Sequence, residues 1–227
     1  MRIAAGMTNS RNHVLSALKT AGLIPVVRAE SSDRAVRITE ALVEGGVGSI
    51  EITMTVPGAF DVIRAVSERF RDRVLVGAGT VTTIAQLEGA LQAGAQFIVS
   101  PAVVPDVIRA ARARDVVMMP GAFTPTEVLT AWQLGGDVIK IFPASHIGGA
   151  SYLRALKGPF PEIPFCPTGG VSLDTLGDFI QAGAVAVGVG GELVSKKAID
   201  AGDYAALTSL AQHFVAALAS ARTKGQR

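Results

Sequence analysis

The 227-residue sequence has a single cysteine, Cys166, so no internal disulfide can form, and the expectation for Cys166 is a small buried apolar side chain in a strand. Its three histidines, His13, His146 and His213, stand too far apart for a zinc-binding spacing. No metal site is assigned, although spacing alone leaves one built from Asp and Glu open. No apolar stretch approaches the roughly 18 residues of a membrane helix, and Met1 to Asn12 lacks a signal-peptide core, so the chain reads as cytoplasmic, with no membrane partner. Charge of one sign is also missing. The formal net charge is +2, with Lys and Arg scattered rather than gathered in a stripe, which leaves no nucleic-acid footprint but keeps small anions as candidate ligands.

What is present is 49% hydrophobic residues, 18% charged residues and 25 glycines, the composition of a packed globular protein with many tight turns. The length suits one domain, residues 1–227, with 1–10 and 223–227 as frayed termini. Apolar runs begin near Ile24, Ser49, Val74, Phe97, Val117, Val138, Pro164 and Val185. Stretches with helical spacing follow them, as in Ala35, Ile38, Ala41 and Leu42. Glycines recur where helix hands over to strand, in Glu44-Gly45-Gly46, Gln92-Ala93-Gly94-Ala95, Gln133-Leu134-Gly135-Gly136 and Gln181-Ala182-Gly183-Ala184. Glycine just past a helix end supplies the left-handed residue that reverses the chain. Eight continuous, non-alternating runs suit parallel strands buried on both faces. The expected fold is therefore α/β, a (β/α)8 TIM barrel, with an extra N-terminal helix from Arg11 to Ala21 and a last helix from Tyr204 to Arg222. An open doubly wound sheet is the alternative. Its dinucleotide fingerprint is absent, the nearest match being Gly188-Val189-Gly190-Gly191-Glu192-Leu193, with Leu at the third glycine position.

Active sites of such barrels lie at the carboxyl ends of the strands. There Lys140 interrupts the apolar run Asp137-Val138-Ile139-Lys140-Ile141-Phe142-Pro143. Burial disfavours an ammonium, and a neutral amine is a nucleophile toward a ketone. The bland alternative is a lysine that escapes outward or pairs with an acid. Glu51 is the same kind of anomaly in Ser49-Ile50-Glu51-Ile52-Thr53, and the second and sixth strands of an eight-stranded barrel lie opposite each other, so both side chains can share one cavity. A carboxylate there can shuttle the protons that imine chemistry needs; the bland alternative is a glutamate paired with an arginine. Glycine turns end the seventh and eighth runs, Pro167-Thr168-Gly169-Gly170 and Gly188-Val189-Gly190-Gly191, where barrel enzymes often hold a phosphate.

These residues resemble the 2-keto-3-deoxy-6-phosphogluconate (KDPG) aldolases, also known as 4-hydroxy-2-oxoglutarate (KHG) aldolases, from Ile24 to about Val194. The motifs are Glu51-Ile52-Thr53-Met54-Thr55, Gly77-Ala78-Gly79-Thr80-Val81, Val99-Ser100-Pro101, Met119-Pro120-Gly121, Lys140-Ile141-Phe142-Pro143-Ala144 and Cys166-Pro167-Thr168-Gly169-Gly170. The resemblance implies a class I aldolase with Lys140 as Schiff-base lysine and Glu51 as general acid and base. It also implies Thr80, Pro101 and Phe142 around pyruvate, Thr168, Gly169, Gly170, Gly190 and Gly191 around phosphate, no cofactor, and a homotrimer. The implied substrate is a phosphorylated keto-deoxy sugar acid, cleaved to pyruvate and glyceraldehyde 3-phosphate. The galactonate analogue, unphosphorylated 4-hydroxy-2-oxoglutarate, a non-catalytic phosphosugar-binding barrel and an imine-free epimerase are the rivals. Thr55 and Glu192 stand where the best-known members carry Arg and Ser, which makes Arg28 the candidate cation for the substrate carboxylate. Glu192 is expected to turn outward. Ser145-His146 replaces a commonly acidic position, and His146 reads as a loop residue near the cavity mouth.

Overall fold

A computed structural model describes residues 10–71 and 73–224; the outermost termini expected to fray therefore lie outside the described residues. The chain opens with helix α1 (Arg11–Ala21) and then alternates strands and helices: β1 (Leu23–Val27), α2 (Ser32–Glu44), β2 (Ser49–Thr53), α3 (Ala59–Arg69), β3 (Leu75–Gly79), α4 (Ile84–Gln92), β4 (Phe97–Val99), α5 (Pro105–Ala113) and β5 (Val117–Met119). The second half holds β6 (Gly121–Ala122), α6 (Pro125–Gln133), β7 (Ile139–Ile141), a 3-10 turn (Ser145–Ile147), α7 (Gly149–Lys157), β8 (Phe165–Pro167), α8 (Leu173–Gln181), β9 (Val187–Val189), α9 (Lys196–Asp200) and α10 (Tyr204–Lys224).

All strand pairs are parallel, in a curled six-stranded sheet ordered β5-β4-β3-β2-β1-β9 and a three-stranded sheet ordered β6-β7-β8. Single bridges, Phe165 to Ala184 and Thr168 to Gly188, link the β8 and β9 segments. The fifth apolar run is thus split: β5 ends at Met119 and β6 resumes at Gly121. Pro120 lies between them and has no N–H to give to a ladder.

Local chemistry explains the helix limits. Ser31, Thr83, Thr124 and Ser172 cap α2, α4, α6 and α8, each accepting from the backbone N–H three residues on. Gly46, Gly94, Gly135 and Gly183 at the four helix-to-strand junctions all have positive φ, as the repeat in the sequence implies. Helix α1 runs from Arg11 to Ala21 as expected, whereas α10 continues through Thr223 to Lys224.

Packing separates the strand residues by parity. Ile50, Ile52, Ile98, Met118, Ile139, Ile141 and Phe165 join the large core against the surrounding helices, with Ile38 and Leu42 of α2 among its members. Alternate residues Ile24, Phe97, Val99, Val117, Met119, Val138, Cys166 and Ala186 form a second core with Val14 and Leu18 of α1. Successive strand side chains point to opposite faces, so this second set marks the concave face, and α1 covers its amino end. Burying each Leu, Ile or Phe contributes on the order of 1.5–3 kcal/mol, which makes both cores, rather than strand pairing alone, the source of the curl's stability.

Candidate active site

Two residues further along the same parity, the concave face changes character. Beyond Ile24 come Val26 and Arg28, beyond Val138 comes Lys140, and beyond Cys166 comes Thr168; Glu51 holds the matching place on β2. Lys140 and Glu51 are 5% and 3% exposed. The Lys140 Nζ lies 3.9 Å from the Glu51 Oε1. Strands β2 and β7 belong to different sheets, so this approach crosses the concave space. Both bland alternatives are therefore partly met and partly not: the lysine does have an acid partner, the acid is Glu51 itself, and the lysine does not escape to the exterior.

That pair is incompletely satisfied. At 3.9 Å the contact is too long for a hydrogen bond, and Glu51 Oε1 is buried with no hydrogen-bond partner. A buried carboxylate oxygen in this state costs about 1–3 kcal/mol or more, a cost removed by a water or substrate atom that donates to it. Gly79 of β3 makes room for this carboxylate, since a Cβ there would lie 1.9 Å from Glu51 Oε1. A glycine inside a buried strand is the sequence signal for such an approach, and it could have pointed to Gly79 in advance.

The neighbouring groups come from several strands. Lys140 Nζ lies 5.2 Å from the centroid of the Phe142 ring. Lys140 is in register with Gly121 on one side and Cys166 on the other. A Cβ on Gly121 would lie 2.3 Å from the Pro101 carbonyl oxygen, so the loop after β4 comes close to the strand beside Lys140. Thr80 follows Gly79 with φ 60, a left-handed conformation rare for threonine. Burial pushes the Cys166 thiol up to about 12, with the charge of Lys140 pulling the other way, so Cys166 stays a neutral thiol. Thr53 is fully buried and bridges the Val27 carbonyl and the Thr55 hydroxyl, at 3.1 and 2.7 Å. Thr55, where Arg had been the family expectation, thus serves the backbone of β1 through Thr53.

The remaining expected residues line a separate cleft of about 180 Å³: Arg28, Phe142, Thr168, Gly169, Gly170, Gly190 and Gly191, together with Val26, Val171 and Glu192. Lys140, Glu51, Thr80 and Pro101 are not on its walls, so the expected residues divide into two groups. Phe142 belongs to both. Gly169 and Gly170 have φ of 93 and 75, which turn the backbone at the cleft as only glycine does readily. Ser145 was missed as a neighbour of this loop: its amide donates to the Gly169 carbonyl at 3.0 Å and its Oγ packs against Gly170. His146 is exposed, 3.2 Å from the Ser145 Oγ through Nδ1, and is not on the cleft wall. Glu192, expected to turn outward, is exposed but stands among the residues that line the cleft. Among the described residues no group of three or more His, Cys, Asp or Glu side chains is placed to hold a metal ion, and no helix is long and apolar enough to cross a membrane.

Comparison with known proteins adds a consistent set of likenesses. A family model described as KDPG and KHG aldolase matches residues 14–210. A KHG/KDPG aldolase of Escherichia coli (strain K12) is 36% identical over 209 residues, covering 92% of this chain and 98% of its own. A 2-dehydro-3-deoxy-phosphogluconate aldolase of Treponema pallidum (strain Nichols) is 37% identical over 199 residues, covering 88% and 94%. Among solved structures, the KDPG aldolase from Legionella pneumophila, with pyruvate captured at low pH as a covalent carbinolamine intermediate, superposes with a TM-score of 0.78 at 30% identity, over 89% of this chain and 96% of that one.

Proposed function

The chain belongs to the KDPG and KHG aldolase family, and from that premise we propose that it is a class I aldolase that cleaves 2-keto-3-deoxy-6-phosphogluconate to pyruvate and glyceraldehyde 3-phosphate through a Schiff base on Lys140. The observation that carries this reading is the buried pair, Lys140 Nζ at 3.9 Å from a Glu51 Oε1 that has no hydrogen bond of its own. A water between the two groups, accepting from Nζ and donating to Oε1, satisfies both, and after attack on the ketone the carbinolamine hydroxyl can donate to Oε1.

In the proposed sequence Glu51 takes a proton from the Lys140 ammonium, and the free amine attacks the C2 carbonyl to give a carbinolamine. Glu51 returns the proton to the hydroxyl, water leaves, and the iminium forms. The iminium then accepts the electron pair of the C3–C4 bond while a base, again Glu51 directly or through water, takes the proton of the C4 hydroxyl. The aldehyde departs, Glu51 protonates the enamine at C3, and water releases pyruvate and the amine. Phe142, whose ring faces Nζ, and Thr80 and Pro101 beside the strands that carry the pair are proposed as the pyruvate wall. The glycine cleft beyond Phe142 is proposed for the distal end of the substrate, where binding contributes orientation at the reacting carbons. Arg28, expected at the substrate carboxylate, lines this cleft instead and is reassigned to the distal end.

We read the scaffold as one domain and a closed (β/α)8 barrel. Support comes from counting β5 and β6 as one strand interrupted at Pro120 and from the bridges joining the β8 and β9 segments. The family resemblance further implies a cytoplasmic homotrimer that acts without a cofactor.

The test is mass spectrometry of the intact protein after incubation with pyruvate and borohydride, followed by peptide mapping. A reduced pyruvyl adduct on Lys140 is the expected result. An active, folded preparation without an adduct would overturn the imine mechanism and move imine-free epimerase chemistry to the front.

A further inference from the structure

One charged residue of the cleft has no role in the proposed cleavage. Glu192 follows Gly190 and Gly191 after β9 and is exposed on the same cleft wall as Arg28, Thr168 and Gly170. Among the described residues neither Arg28 nor Glu192 is held in an ion pair. Among the described residues no other charged residue lines the cleft, so its fixed charges are one cation and one anion, with a sum of zero.

A phosphate monoester carries close to two negative charges near neutral pH, since its second pKa is about 6. A site selective for that dianion is normally net positive, through Arg, Lys or several aimed N–H groups. Here the backbone of Gly169, Gly170, Gly190 and Gly191 supplies donors and Arg28 one charge, while Glu192 opposes. A carboxylate is, in contrast, a good acceptor for the hydroxyls of a polyol. The cleft is also in line with the chemistry: Phe142 both lies 5.2 Å from Lys140 Nζ and lines the cleft, so a substrate joined at C2 to Lys140 extends its far carbons toward Glu192.

We infer that Glu192 sets the specificity of the distal subsite, relaxing its preference for phosphate, so that 2-keto-3-deoxy sugar acids ending in a free hydroxyl are cleaved alongside their 6-phosphates. This inference rests on the aldolase reading and deepens it. Glu192 touches only the distal end and is a specificity residue, not a participant in bond cleavage.

The experiment compares kcat/KM for 2-keto-3-deoxygluconate and its 6-phosphate, read as pyruvate release, in the wild-type enzyme and in Glu192→Gln. Glu192 is exposed, so the isosteric change does not threaten the fold. In the wild type the two substrates are expected within about tenfold of each other. Glu192→Gln is expected to raise the ratio in favour of the phosphate about three- to tenfold, the scale of one partly solvated charge contact, through a lower KM for the phosphorylated substrate. Added salt should shrink that difference, because it screens exposed charges. A wild type that rejects the unphosphorylated acid by more than about a thousandfold, or a ratio unmoved by the substitution, overturns the inference. Borohydride trapping of pyruvate by the wild type separates the two failures: an adduct with an unmoved ratio sinks only the role of Glu192, and no adduct sinks the aldolase reading itself.

Discussion

At the amino ends of the strands the concave face presents Ile24, Phe97, Val117, Val138 and Ala186, and Val14 and Leu18 of α1 pack onto them. About two residues further along the same strands it presents Glu51, Lys140 and Thr168, with Arg28 at the edge. The first region has its one charged pair at the margin and satisfied. Arg11 of α1 engages both oxygens of buried Asp137, and Asp137 Oδ2 also accepts the Met118 amide at 2.9 Å. The second region has its charged pair at the centre and unsatisfied. A fold thus stabilises one end of a single surface and leaves electrostatic strain at the other, where a substrate can relieve it.

The sharpest way to break this contrast is to remove the central amine. Lys140→Ala is expected to lower kcat by about 10⁴-fold or more, because a covalent route loses its nucleophile. Its thermal midpoint should also fall, since the Glu51 carboxylate is left buried without its counter-charge. Thermal unfolding and pyruvate release measured on one preparation check both; activity within about tenfold of wild type would return the site to imine-free chemistry.

At the other end stability falls but activity is expected to be spared. Arg11→Ala leaves the Asp137 carboxylate buried with only the Met118 amide, a loss of about 3 kcal/mol, at the low end for buried pairs because Arg11 is 18% exposed. For a chain of this size that lowers Tm by roughly 6–12 °C. Well below the transition, kcat/KM should stay within about twofold, given that distant, unshared sites act independently. A large activity loss in a folded Arg11→Ala protein would mean that the two ends are coupled through the segment that leads into β7, where Asp137 and Lys140 stand three residues apart.

A smaller effect sharpens the picture outside the concave face. Amides of Phe123 and Thr124 hold the Glu127 carboxyl below the usual carboxylate range in the capping box of α6. A carboxylate with a lowered pKa in the folded state contributes stability above its unfolded value, 4.5, and that contribution is lost as pH falls through the lowered folded value. Glu127→Gln is therefore expected to be less stable than wild type near neutral pH and to converge on it in acid. Thermal midpoints of both proteins across pH 3 to 7 check this, and a gap that widens toward acid would contradict it.

Much of this contrast was legible in the linear chain. A lysine and a glutamate inside apolar runs stand out because burial of charge is costly, and glycines after helices stand out because left-handed turns need them. Less was visible where the signal is relational. Gly79, a glycine inside a strand, signals a close approach, but that the approaching group is the Glu51 carboxylate shows only in the fold. Ser145 shows no periodicity, and its place beside Gly170 depends on how two loops meet. The β5/β6 break was readable in principle from Pro120, but its effect on sheet order was not.

The alternation of strands and helices, the resemblance to the family, and Lys140 and Glu51 as the two candidate reactive residues were therefore legible in the chain alone, because hydrophobic period, turn chemistry and misplaced charges are local properties of a chain. Tertiary structure alone decided that Glu51 and Lys140 face each other at 3.9 Å without a hydrogen bond, that Phe142 joins their space to the glycine cleft, and that Glu192 and Arg28 share its wall. Distances between residues far apart in sequence follow from the curl of the sheet and the packing of its helices, which no single segment encodes.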